Sequence, residues 1–301
     1  MAQTFGSHTL TSRVLSITVV PEIGAKIVSF RNLLTGREWM WRPRPAAELF
    51  RNQGTDPFDA SPLVGADECL PTIESCRHHG VELPDHGEVW QRPWNVDLPA
   101  LQQNCIRTHI ALEALPLELE RSIWLRENEA IFDYVLTSRS SKPETFLWAF
   151  HPLMPLEDEF RIELPPEIRF VQIGALDGFA MPADGMWNWP SPLPGVDLDR
   201  LHLGLQEPGY VKLFANFTGV SRGFAAIQTR EERLLFRFEP AQIPILGLWI
   251  TRGGWNGYTH IALEPTNAAS DSLCDIVADN YTTITPGQRM NWSFRMILET
   301  A

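Results

Sequence analysis

"LELERSIWLRENEAIFDYVLTS", Leu117 to Ser138, decides the fold. Two runs rich in aromatic and β-branched residues flank the polar connection "RENE", the pattern of a β-hairpin. Runs of the same kind recur along the whole chain. "VLSITVV" (Val14 to Val20) sets Val14, Ser16, Thr18 and Val20 against Leu15, Ile17 and Val19. "AKIVSFRN" follows across "PEIG", and "REWMW" (Arg37 to Trp41) follows the turn "LLTG". Later come "IRTHIAL", "TFLWAF", "YVKLFANF", "GFAAIQT", "LLFRFE", "GLWITR", "HIALE" and "NWSFRMIL", bounded by Gly, Pro, Asn and Asp. Helical periodicity is scarce; the clearest short helix is "SDSLCDIV", with Ser270 or Asp271 as its cap. Closely spaced strands without intervening helices mean an all-β sandwich or barrel. No linker, charge run or internal repeat divides the chain, so residues 1–301 read as one domain. The least regular stretches, Arg42–Leu83 and Leu176–Leu205, are the expected walls of a binding cleft.

Composition narrows the function. A net charge of -12 argues against nucleic-acid and anionic-membrane partners, which need a basic footprint. An uncharged small molecule fits this field, whereas an anionic one needs a local arginine cluster. No stretch is apolar for long enough to suggest a membrane span. The opening "MAQTFGSHTLTSR" lacks the charged and apolar blocks of a secretion signal. With Cys69, Cys76, Cys105 and Cys274 read as reduced thiols, this points to the cytoplasm. The 11 tryptophans serve either a core or flat binding platforms.

Three places hold a titratable group in a constrained setting. In "PDHGEVWQRPW" (Pro84 to Trp94), Pro84 and Gly87 bracket a turn that projects His86. In "LWAFHPLM", His151 ends an aromatic strand and Pro152 keeps it extended. In "THIALEPTN", Glu264 ends another apolar strand ahead of a proline. Two such histidines and one glutamate supply an acid and a base near neutrality. Taken singly, each reads more readily as a turn or core residue, and only the combination suggests a site. Cys69, Cys76, His78, His79 and His86 match no tight zinc-ligand spacing, so no metal is expected. No nucleophile elbow, dinucleotide fingerprint or phosphate loop occurs. The adjacent acids Asp67 and Glu68 read either as a glycosidase pair or as acceptors for sugar hydroxyls.

Taken in order, these pieces resemble the aldose 1-epimerase (galactose mutarotase-like) family. "VVPEIGAKIVSFRNLLTGREWMW" is similar to its first hairpin and "GADECLPTIESCR…PDHGEVWQRPW" to its central loop. "WAFHPLM" is similar to its second histidine strand and "GLWITRGGWNGYTHIALEPTN" to its glutamate strand. "ITPGQRMNWSFRMIL" resembles its closing strand. The resemblance implies a β-supersandwich with few short helices, and reversible interconversion of sugar anomers without metal or organic cofactor. Carried over, Glu264 is the base at the anomeric hydroxyl, His151 the acid at the ring oxygen, and His86 a sugar-side partner. The chain departs from the family where "GADECLPT" lacks the sugar-binding arginine, and Asp177 and Asp184 are unanchored candidates for its aspartate. Asp67, Glu68, Arg77, Glu88, Lys212 and Trp255 are the candidate substrate-binding residues instead. Arg77 and Arg92 would also suit a hexose-6-phosphate. A non-catalytic carbohydrate-binding protein on the same fold is a further alternative. The expected partner is a small-molecule sugar, and the expected state a monomer or homodimer.

Overall fold

The Leu117–Arg126 and Glu129–Ser138 strands pair in register from Leu117↔Ser138 to Arg126↔Glu129. Glu127 and Asn128 alone turn the chain, with Glu127 in the left-handed region at φ 53°, a tighter turn than "RENE" suggests. The computed structural model describes residues 5–43, 48–51, 57–61, 63–204 and 207–300. Parts of the two irregular stretches, at 44–47, 52–56, 62 and 205, lie outside the described residues.

Among the described residues, two antiparallel sheets hold most of the strands. The hairpin is central to the smaller one, which has 8 strands. These run Arg161–Glu163, Gly223–Gln228, Glu232–Phe238, Arg289–Thr300, then the hairpin, then Cys105–Ala111 and Asn95–Val96. The larger sheet has 11 strands. It starts with His8–Thr11, Leu15–Val20, Lys26–Asn32 and Ala66–Cys69, and continues through Ala149–Pro152 to Tyr258–Thr266. Beyond these lie Ile245–Trp255, Gly209–Asn216, Phe170–Asp177 and Met186–Asn188, while Met154–Pro155 pairs with Tyr258–Thr266.

The sheets meet face to face through aromatic residues. Phe150 of the larger sheet lies 5.4 Å from Phe132 and 4.9 Å from Phe294 of the smaller, between ring centroids. Trp148 packs similarly against Tyr134 and Trp292. Each such side chain removed from water contributes ~1.5–3 kcal/mol. The result is an all-β sandwich, as the strand pattern predicts.

Three local expectations are corrected. "REWMW" is not a strand: the Glu38 carboxylate accepts from the Phe30 and Met40 N–H groups, and a single bridge to Arg31 remains. "TFLWAF" is broken, because the Phe146, Leu147 and Trp148 amides donate to Thr282, Pro71 and Asn267 instead of to a strand. "SDSLCDIV" forms only a 3-10 turn, Leu273–Asp275, capped by Ser272. The Asp271 carbonyl is taken by the amides of Ile73 and Glu74, which draws that residue away from any helix.

Candidate active site

Strand alternation places the site on the face of the larger sheet turned away from the smaller one. Phe150 points into the sandwich, so His151 points out, beside Asp67 in the neighbouring strand. On Tyr258–Thr266, Ile261 and Leu263 belong to the main core, which leaves His260, Ala262 and Glu264 on the outer face. Gly247 stands opposite Glu264. A β-carbon there would lie 3.1 Å from Glu264 Oε2, so glycine leaves room for the carboxylate.

His86 arrives from a turn. It sits at φ 59°, a conformation that costs a non-glycine residue ~1–3 kcal/mol and collects at functional sites. Its N–H donates to the Ile73 carbonyl, and the Gly87 N–H to that of Pro84. The ring stacks on Phe58 at 3.7 Å, with 8° between planes, and meets His151 edge-on at 5.2 Å. Asp85 fixes its orientation. One carboxylate oxygen lies 2.8 Å from His86 Nδ1 and the other accepts from the Phe58 N–H. Burial opposes charge on Asp85, but these hydrogen bonds outweigh it and lower its pKa. A carboxylate only accepts, so His86 Nδ1 donates and Nε2 is left for another partner.

Glu264 is buried, and its two oxygens differ. Oε2 accepts a short hydrogen bond from Lys212 Nζ. Oε1 has no hydrogen-bond partner among the described residues and lies 3.7 Å from His151 Nε2. That gap is too long for a hydrogen bond, and a substrate oxygen can bridge it. Burial raises the Glu264 pKa, with Lys212 the main opposing influence. Burial also opposes the Lys212 charge, but Asp271, 3.4 Å away, and Glu264 outweigh it and raise its pKa, so the ammonium persists. Burial, then the positive fields of His86 and Lys212, hold His151 well below the ordinary imidazole value. The imidazole is therefore neutral in the free protein.

His86, His151, Lys212 and Asp271 line a cleft of about 230 Å³, whereas Glu264 is fully buried behind them and is not among its described lining residues. His86, His151, Lys212 and Trp255 border it among the residues singled out in the sequence. The Arg42–Leu83 stretch contributes Phe58 and Ile73, whereas Leu176–Leu205 supplies none of its described lining.

The remaining candidates lie elsewhere. Asp67 is buried beside the site, with Oδ2 held by Lys26 at 2.5 Å. Glu68 points the opposite way, into the sandwich, and bonds Arg121, Tyr134 and Trp148. Arg77 is on an exposed hairpin, paired with Glu82. Glu88 accepts from Arg92 and from the Glu113 and Ala114 amides, so its role is to hold a loop. Arg92 is thereby engaged as well. Asp177 and Asp184 do not border the cleft, and Asp271 is the aspartate that reaches it. Sequence reasoning also missed Phe58, Asp85, Tyr210, Trp249 and His260. For His260 a signal existed: it shares the parity of Glu264 along one strand. Among the described residues, no three His, Cys, Asp or Glu side chains are grouped to hold a metal ion.

No protein-family model matches the chain, and no curated protein matches its sequence. Solved structures do match in shape. The Slr1438 protein of Synechocystis sp. PCC 6803 aligns over 100% of this chain and 98% of its own, with TM-score 0.71 and 15% identity. An Escherichia coli K12 protein provisionally described as an aldose 1-epimerase covers 99% of this chain and 100% of its own. Its TM-score is 0.70 at 13% identity. A galactose mutarotase related enzyme from Lactobacillus acidophilus covers 98% and 97%, with TM-score 0.67 and 16% identity. The fold is galactose mutarotase-like. No described helix is long and apolar enough to cross a membrane.

Proposed function

We propose that this protein is an aldose 1-epimerase that interconverts the α and β anomers of an uncharged sugar. One observation carries the reading: the buried, unpartnered Glu264 Oε1 lies 3.7 Å from Nε2 of His151, which lines the cleft together with the Lys212 that holds the other Glu264 oxygen. Glu264 Oε1 takes the proton of the anomeric hydroxyl as the carbon–oxygen double bond forms. The bond from the anomeric carbon to the ring oxygen breaks, and that oxygen takes a proton from His151 Nε2. Rotation about the first carbon–carbon bond and reclosure, with the two roles reversed, gives the other anomer. The reactive form carries an added proton on His151, and the lowered pKa makes that proton strongly acidic. His86, steered by Asp85, offers Nε2 to a sugar hydroxyl.

An uncharged substrate is favoured over a phosphorylated one. Lys212 is the single lysine or arginine among the described cleft-lining residues, and Glu264 and Asp271 already balance it. Arg77 and Arg92 are paired outside the cleft. A single domain over residues 1–301 belongs to the same reading, supported by full-length alignment with the solved structures, as does a monomer or homodimer. So does a cytoplasmic location, with which four unpaired cysteines agree.

Anomer exchange measured by NMR over neutral and phosphorylated sugars tests the proposal. Glu264→Gln and His151→Ala should each slow exchange by about 10²–10⁴-fold. Full activity in either variant would sink the assignment. Sugar binding without any exchange in the parent protein would make it a carbohydrate-binding protein instead.

A further inference from the structure

The cleft extends well beyond the acid–base pair. Strand register sets three levels along the face of the sheet that carries it. At the first, Glu264 stands opposite Gly247, beside His151. At the second, Ala262 pairs with Trp249 and Trp249 with Lys212. At the third, His260 pairs with Thr251 and Thr251 with Tyr210. Four residues of extended chain separate Glu264 from His260, about 13 Å along the strand. That is more than one pyranose ring spans.

The far end differs chemically from the near one. Tyr210 and Trp249 pack with ring centroids 4.8 Å apart, and Trp255 stands at 89° to Trp249. The two indoles make a corner with partly exposed faces. Such rings suit the C–H faces of a sugar. His260 closes this end, with its ring 4.9 Å from Trp41 and 5.9 Å from Trp255. It is 1% exposed, and neither ring nitrogen has a hydrogen-bond partner among the described residues. A buried polar group without a partner is uncommon and calls for a reason. Burial pushes its pKa down to about 3, so the ring is neutral and offers one donor and one acceptor. That pairing suits a hydroxyl rather than a charged group.

We propose that Tyr210, Trp249, Trp255 and His260 form a second subsite, which holds an uncharged sugar ring linked to the one undergoing ring opening. The inference rests on the epimerase reading for the placement of the first ring at Glu264. The preferred substrate is then a neutral reducing disaccharide, whose second ring is attached opposite the anomeric carbon of the first.

Glucose is compared with maltose, cellobiose and lactose, which all carry glucose at the reducing end. Binding is followed by quenching of tryptophan fluorescence and turnover by anomer exchange. At least one disaccharide should bind about tenfold more tightly than glucose and show a correspondingly lower KM. His260→Phe keeps the ring and removes its hydrogen bonds, while Trp255→Ala removes one wall from a partly exposed position. Each should erase most of that advantage, and the second keeps the test open should the buried substitution fail to fold. Equal binding of glucose and all three disaccharides, or an advantage that survives both substitutions, overturns the subsite. A disaccharide advantage sensitive to both variants, without exchange on any sugar, supports the subsite and overturns the epimerase reading alone.

Discussion

Glu68 and Glu264 are two buried carboxylates of one sheet, each facing a buried cation. Burial pushes both pKa values up, and a cation opposes it in each case. They differ in what the remaining lone pairs do. Glu68 lies between the sheets, where Arg121 and the Tyr134 hydroxyl donate to one oxygen and the Trp148 indole to the other. Glu264 lies on the opposite face of the sheet, where Lys212, a cleft-lining residue, holds one oxygen and the other is unpartnered among the described residues. A buried ion pair with every oxygen satisfied fixes a structure and has nothing left to offer a ligand. A half-satisfied one retains an acceptor for a substrate proton. Hydrogen-bond completeness, rather than burial or charge, separates the structural acid from the one proposed as the catalytic base.

The largest effects should split along this line. Glu264→Gln should abolish most exchange and lower stability less than Glu68→Gln, because Asp271 remains 3.4 Å from the Lys212 ammonium. Glu68→Gln should do the opposite, since it strands the Arg121 charge between the sheets at a cost of about 3–5 kcal/mol. Chemical denaturation measures that loss, and the remaining folded protein should exchange anomers at close to the parental rate. Equal stability in the two variants would break the contrast.

Lys212→Met sharpens it. Without the ammonium, burial acts on Glu264 unopposed by its main partner, and the acidic limb of the rate profile should move up by about 1–3 pH units. Lys212→Arg should restore part of the parental profile. A limb that does not move in Lys212→Met would show that the lysine does not govern the Glu264 proton.

The smallest effect is the shape of the parental pH profile. In the proposed mechanism, exchange needs Glu264 ionised and His151 protonated. Raising the pH strips His151, whose pKa lies well below 6.5, and lowering it protonates Glu264, whose pKa lies above 4.5. The rate should therefore be bell-shaped in pH, falling on both sides of its maximum. A rate that changes in one direction only across the pH range over which the protein stays folded would contradict the pairing of Glu264 with His151.

Much of the fold is legible in local pattern. "LELERSIWL" and "AIFDYVLTS" form strands because their residue types and spacing suit a pleated, half-buried surface. The Pro–Gly bracket around His86 likewise marks a fixed turn. What escaped were features set by partners distant in sequence. "REWMW" has strand composition, yet Glu38 satisfies the amides that a strand would have paired. Asp67 and Glu68 are neighbours in sequence with opposite roles, because adjacent strand residues face opposite sides. Alternation could have warned that only one of them reaches a given face. It could not say which face carries the cleft.

The sequence by itself determined that the chain is built of strands, and that His86, His151 and Glu264 sit where the backbone is constrained. Those properties depend on residues a few positions apart. Only the tertiary structure decided that Lys212 clasps the glutamate rather than awaiting a sugar, that Asp85 orients His86, and that His260 faces the cleft with its nitrogens unpaired. Lys212 and Glu264 are 52 positions apart. Sheet register and the side from which each strand is covered bring such groups together, and no local pattern encodes either.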